Sequence, residues 1–359
     1  MSINIEEEFL KFEKNKSIFP HNKDYVVIYK LFKDVFDKDI HPEVKTKILE
    51  IEKDGFFNDH GVDHVNMVID RVSKIVSHLN ASLSEEKDKF FITPYEIFIL
   101  LMAIQLHDTG HLIASRAEHA KKGKELLAKF DKDGRLNTAE KQNIGNIAKA
   151  HGGQNDPIGK LLGFDTLNHF KVRPQFLAAL LRLGDELAED ETRASKFLIE
   201  IDNIEATSKI FHLYSNCLNS IELNGNEISL KFYVLDTYLI EKYPKKTKDG
   251  TIVEEYLLSE IYKRTQKTYL EAIYCSRFLP EACRFNRVKV KITLTSSIDH
   301  EEITTPISYE LKESGYPKLE NTDIFQACGS LSLHNGQLID GEYIAKLINE
   351  KNKQHEKSV

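Results

Sequence analysis

The chain has 359 residues, a mass of 41.3 kDa and 41% hydrophobic residues, enough for one large globular domain or two of ordinary size. A formal net charge of -7 and a sequence pI near 6.1 exclude a surface devoted to coating nucleic acid, although a local basic groove stays open. Four scattered cysteines, Cys217, Cys275, Cys283 and Cys328, form no CxxC pair, which excludes a disulfide framework and a thiolate zinc site.

The amino terminus, MSINIEEEFLKFEKNKS, carries acids where a signal peptide needs a basic start and an apolar stretch. The longest apolar run, residues 97 to 106, is about half of the roughly 20 residues needed to cross a bilayer. These features predict a soluble cytoplasmic protein without a membrane partner. The first two hundred residues carry apolar positions three and four apart, the helical period. In GVDHVNMVIDRVSKIVSHL, residues Val65, Val68, Ile69, Val72, Ile75, Val76 and Leu79 make one stripe, with Asn58 or Asp59 as its cap. Further helices are predicted over Pro94 to His107, Glu118 to Phe130, Ala139 to His151 and Pro174 to Glu189, with DKDGRLN and HGGQNDP as turns.

After about residue 205 the pattern changes. Two alternating runs flank Asn224-Gly225 in LNSIELNGNEISLKFYVL, a strong hairpin signal. A long amphipathic helix from about Val253 to Phe278 and a strand at RVKVKITLTS follow, while YPKKTKDG reads as a solvated loop. Residues 301 to 335 are punctuated by Pro, Gly and Ser, and a short helix is predicted near Tyr343 to Asn349.

Several polar residues interrupt the apolar helix faces: His64, the pair His107-Asp108, His119, His151 and Asp185. Singly, an inward His or Asp is more often a hydrogen-bonded core group. Together they suit a divalent cation, since imidazole is a neutral donor and carboxylate offsets the ion's charge. An Asp beside a His can also bridge two ions.

The order of these residues resembles the HD-domain phosphohydrolases, whose His, adjacent His-Asp pair and distant Asp appear here in DHGVDHVNMV, LLMAIQLHDTGH and ALLRLGDELAED. The resemblance covers roughly residues 55 to 190 and implies that His64, His107, Asp108 and Asp185 hold one metal. EHAKKGKELL and IGNIAKAHGG match the extended branch, so His119 and His151 are implied as ligands of a second. LRLGDELAEDETRAS followed by a hairpin is similar to HD domains found beside Hsp90-type ATPases and in bacterial conflict systems. HDTGH is also similar to deoxynucleotide triphosphohydrolases, but LIASRAEH replaces the Pro- and Phe-containing segment that usually follows there. His111 stands where cyclic-dinucleotide phosphodiesterases carry Lys.

The expected fold is therefore mainly α, an HD-type helical bundle with a small C-terminal α+β element. Residues 1–205 would form the metal-binding bundle, 206–300 the α+β element packed on it, and 301–359 an irregular segment with a short helix. The expected cofactor is one or two divalent ions among Mn, Fe, Ni, Co, Zn and Mg. The expected reaction is hydrolysis of a nucleotide-like phosphate, with Asp108 and His111 as the catalytic pair and His111 as proton donor or phosphate contact. His60, Arg116, Lys122, Arg182 and Arg193 are candidate substrate contacts. A nuclease on single-stranded nucleic acid and a non-catalytic sensor or assembly module are the competing readings, and a homo-oligomer stays open.

Overall fold

The computed structural model describes residues 3–51, 61–83, 91–115, 118–189, 206–247, 250–303, 305–312, 333 and 336–338. Residues Met1–Lys312 form one compact unit and Glu313–Val359 another. The predicted cap at residues 58–59 and the helix predicted near 343–349 lie outside the described residues.

The first unit is mainly helical: α1 (Ile5–Leu10), α2 (Tyr25–Val35), α3 (His41–Ile51), α4 (Val62–Leu83), α5 (Pro94–Leu106), α6 (His119–Phe130), α7 (Thr138–Lys149) and α8 (Pro174–Glu186). Next come α9 (Ala206–Cys217), β3 (Leu218–Asn224), β4 (Glu227–Leu235), β5 (Lys242–Lys246), β6 (Ile252–Tyr256), α10 (Leu257–Ser276), β7 (Arg287–Thr295) and β8 (Ile307–Lys312). A small hairpin, β1 (Asp165–Leu167) and β2 (Phe170–Val172), joins α7 to α8 through Asn168 and His169, both at positive φ. No helix among the described residues is long and apolar enough to cross a membrane.

The axis of the bundle is α5. Every residue from Tyr95 to Leu106 is buried, as expected of a helix that is mostly apolar all round. Thr93 and Glu96 close its start with a capping box, and Pro94 occupies the first turn, where its missing N–H costs nothing. Glu96 is buried, and the cost of burying its charge is offset by Arg173, at the start of α8, which donates to both its oxygens at 2.8 Å. One buried fork thus ties the starts of two site-bearing helices. Glu140 of α7, wholly buried, is satisfied likewise by Tyr25 Oη at 2.5 Å, Tyr95 Oη at 2.8 Å and Asn168 Nδ2 at 3.1 Å.

The C-terminal element is a four-stranded sheet of order β3-β4-β7-β8 beside a two-stranded β5-β6 ribbon. The predicted hairpin turns at Gly225, whose φ of 57° suits glycine. β4 and β7 are parallel, so the ribbon and α10 form the crossover between them. Two expectations change here. The long helix starts at Leu257 rather than Val253, because β-branched Ile252 and Val253 pair with Lys246 and Lys245 across a turn at Gly250. Residues 243–246 of the lysine-rich stretch read as a solvated loop accordingly belong to strand β5. Within the segment expected to be irregular, Ile307, Tyr309 and Leu311 alternate inward as β8, which pairs with β7.

Candidate metal centre

The donors are positioned by where helices end. His64 lies in the first turn of α4, on the face that continues through Val68 and Val72, and is buried. His107 caps α5, and its Nδ1–H donates to the Ile104 carbonyl at 2.6 Å. The chain then leaves the helix at Asp108 and makes a tight turn over Thr109–Leu112, which presents His111. His119 opens α6. His151 follows α7 by two residues, its Nδ1–H donating to the Ala148 carbonyl at 2.6 Å. Asp185 sits in the last turn of α8.

Two glycines permit these approaches. A Cβ on Gly110 would stand 1.9 Å from the His119 carbonyl oxygen, so only glycine lets α6 close on the turn. A Cβ on Gly184 would meet the Val72 side chain at 2.4 Å, so glycine brings α8, and Asp185 with it, against α4.

The two oxygens of Asp108 face different neighbours. Oδ2 lies 3.3 Å from His107 Nε2 and 3.6 Å from His64 Nε2. His64 Nε2 is in turn 3.3 Å from His107 Nε2 and 3.2 Å from Asp185 Oδ1. Oδ1 lies 3.3 Å from His119 Nε2, 3.6 Å from His151 Nε2 and 4.0 Å from His111 Nε2. His119 and His151 Nε2 are 3.1 Å apart, and the His111 ring stacks on His119 at 4.0 Å. His64, His107 and Asp185 form one group able to hold an ion; Asp108, His111 and His119 form another.

The spacing fits such ions. Donors about 2.1 Å from a shared cation stand about 3.0–3.4 Å apart for right-angled to tetrahedral pairs, close to most of these separations. With Nδ1–H bound to carbonyls in His107 and His151, Nε2 is the nitrogen presented to an ion. Mixed imidazole and carboxylate donors favour first-row transition ions over Mg, which takes oxygen ligands.

Electrostatics supports the same grouping. Burial opposes a charge on His107, yet Asp108, Asp185 and the Ile104 carbonyl outweigh it and lift its pKa to about 9. Burial and the neighbouring His107 push His151 down to about 4. Burial would raise Asp185, but the hydrogen bond from His64 and the positive field of His107 and His64 hold it well below the usual carboxylate range. Asp185 and His119, the donors with the most exposed side chains at 27% and 16%, mark where the centre opens to solvent.

The structure brings His64, His107, Asp108, His111, His119, His151 and Asp185 together. Of the basic candidates, Lys122 pairs with Glu125 at 2.6 Å on an exposed part of α6, and Arg182 forks onto Glu271 at 2.6 and 2.7 Å. His60, Arg116 and Arg193 lie outside the described residues. Sequence reasoning missed His41, which opens α3 and reaches Gln105 Oε1 at 2.7 Å, two residues before His107. Its burial at 1% exposure lowers its pKa, and no helical stripe had marked it.

Residues 54–267 match the model of the HD-CE family. No curated protein and no solved structure matches the chain.

Proposed function

Since the chain belongs to the HD-CE family, we propose that it is a metal-dependent phosphohydrolase cleaving a phosphoester or phosphoanhydride bond of a nucleotide-like substrate. An HD-type domain with buried His and Asp groups able to hold metal ions fits a metal-dependent hydrolase. The observation that carries the finer reading is the division of Asp108: one oxygen faces His64 and His107, the other His119, His151 and His111.

Two divalent ions, when bound, lower the pKa of water and polarise a phosphoryl oxygen, which suits in-line P–O hydrolysis. His64, His107 and Asp185 would hold one, His119 and His151 the other, with Asp108 shared. His111, on the turn beside Asp108 and stacked on His119, would donate a proton to the leaving oxygen. The substrate would enter beside Asp185 and His119, where the donors are most exposed. The three described cysteines are free and buried, which fits a reducing, cytoplasmic setting.

The test is a phosphate-release screen of nucleotides, cyclic dinucleotides and short oligonucleotides, with Mn, Fe, Co, Ni or Zn returned to metal-stripped protein. Activity with at least one ion is expected, and Asp108→Ala should abolish it while circular dichroism stays unchanged. Absence of both bound metal and hydrolysis would defeat the proposal. Turnover of oligonucleotides alone, with steep salt dependence, would make it a nuclease instead.

A further inference from the structure

Helix α10 binds the two segments that carry Asp185 and His151. Along one face of α10, Arg264, Lys267 with Thr268, and Glu271 lie about one turn apart and meet Glu189, Glu186 and Arg182 in antiparallel order. The Lys267 and Thr268 contacts to Glu186 measure 2.5 and 3.0 Å. Asp185 stands between Arg182 and Glu186, in the last turn of α8, where intrahelical hydrogen bonds run out.

The same helix face holds the loop after His151. Arg182 Nη1 donates to the Gly153 carbonyl at 3.1 Å while its Nε and Nη2 are held by Glu271. The Arg182 guanidinium lies over the Tyr274 ring at 5.0 Å. Tyr274 Oη donates to Asp156 at 3.0 Å and accepts from the Ile158 N–H at 2.9 Å. That loop contains Gly152 and Gly153, and Gly153, Asn155 and Asp156 all have positive φ, a course that surrounding contacts must hold.

We propose that Arg182, Glu271 and Tyr274 are positioning residues: α10 sets Asp185 and His151 in register for metal binding, and Arg182 serves this clamp rather than touching phosphate. The inference rests on the metal-dependent reading above and concerns both donor groups at once. Glu271 and Tyr274 lie beyond the segment that matches the family model, which ends at residue 267.

The experiment titrates Co²⁺ into the full-length, metal-stripped protein and follows heat and the visible spectrum. Arg182→Lys and Glu271→Gln should each weaken Co²⁺ binding about 10- to 100-fold and alter the spectrum, the range seen when groups that orient metal ligands are lost. The double variant should be no worse than Arg182→Lys alone, since that change already breaks the contact to Glu271. Tyr274→Phe, which removes only a hydroxyl, should weaken one Co²⁺ equivalent and spare the other. Variants that keep wild-type affinity and spectrum would overturn the clamp, as would Arg182→Lys raising only the substrate KM. If wild-type protein takes up no Co²⁺, the proposed function fails separately. The clamp is then judged by amide exchange of residues 151–158, which must quicken in Glu271→Gln and Tyr274→Phe; unchanged exchange would refute it.

Discussion

The two donor groups that share Asp108 are built differently. His64, His107 and Asp185 stand on long helices whose apolar faces are wholly buried, so core packing sets their positions. His111, His119 and His151 stand on a tight turn, a helix start and a position past a helix end, and His119 closes on the turn only because Gly110 has no side chain. Charge differs too. The first group adds the Asp185 carboxylate to Asp108, whereas the second adds only imidazoles, so it offsets less of a cation's charge. The lesson is that one carboxylate can join a site fixed by the core to a site fixed by local turns, and the second should be the weaker.

The sharpest way to break this comparison is to remove one imidazole from each side. His64→Ala should eliminate hydrolysis and the tighter metal equivalent, while His119→Ala should remove only the weaker equivalent, as read by metal analysis after dialysis. Equal losses from both would show that the groups do not differ. A second probe uses protons. His107, with its pKa raised to about 9, is mostly charged at pH 7.5, and an ion needs the neutral ring. Metal uptake there should release about one proton, and apparent affinity should climb about tenfold per pH unit until near pH 9. Calorimetry in two buffers of different ionisation enthalpy measures this, and uptake without proton release would contradict the assigned electrostatics.

Gly110→Ala should act more selectively. The new Cβ must push His119 away, which costs about 1–3 kcal/mol as overpacking does and weakens the second equivalent alone; thermal unfolding and metal titration report the two effects. The smallest expected change is Lys122→Ala. Its exposed pair with Glu125 should be worth less than about 0.5 kcal/mol, and its position on an exposed part of α6 predicts an unchanged KM. A several-fold rise in KM would return Lys122 to the substrate contacts.

Much of the helical framework was legible because it depends on local periodicity. The stripe from Val65 to Leu79, the mostly apolar run of α5 and the Asn224-Gly225 turn appear in the structure where the pattern predicted them. The ribbon of β5 and β6 was not legible, because neither KYPKK nor IVEEY alternates apolar with polar residues and the pairing partner supplies the order. β8 was hidden for a similar reason, its inward residues counting as a face only once β7 lies beside them.

At the site, sequence alone determined which imidazoles and carboxylates break apolar helix faces, since an inward polar group in such a pattern needs a partner wherever it lies. Only the tertiary structure decided that Asp108 turns one oxygen to each group and that Arg182 forks onto Glu271, 89 positions away. Those outcomes depend on how helices cross and how closely Gly110 and Gly184 let them approach, distances that no local pattern encodes.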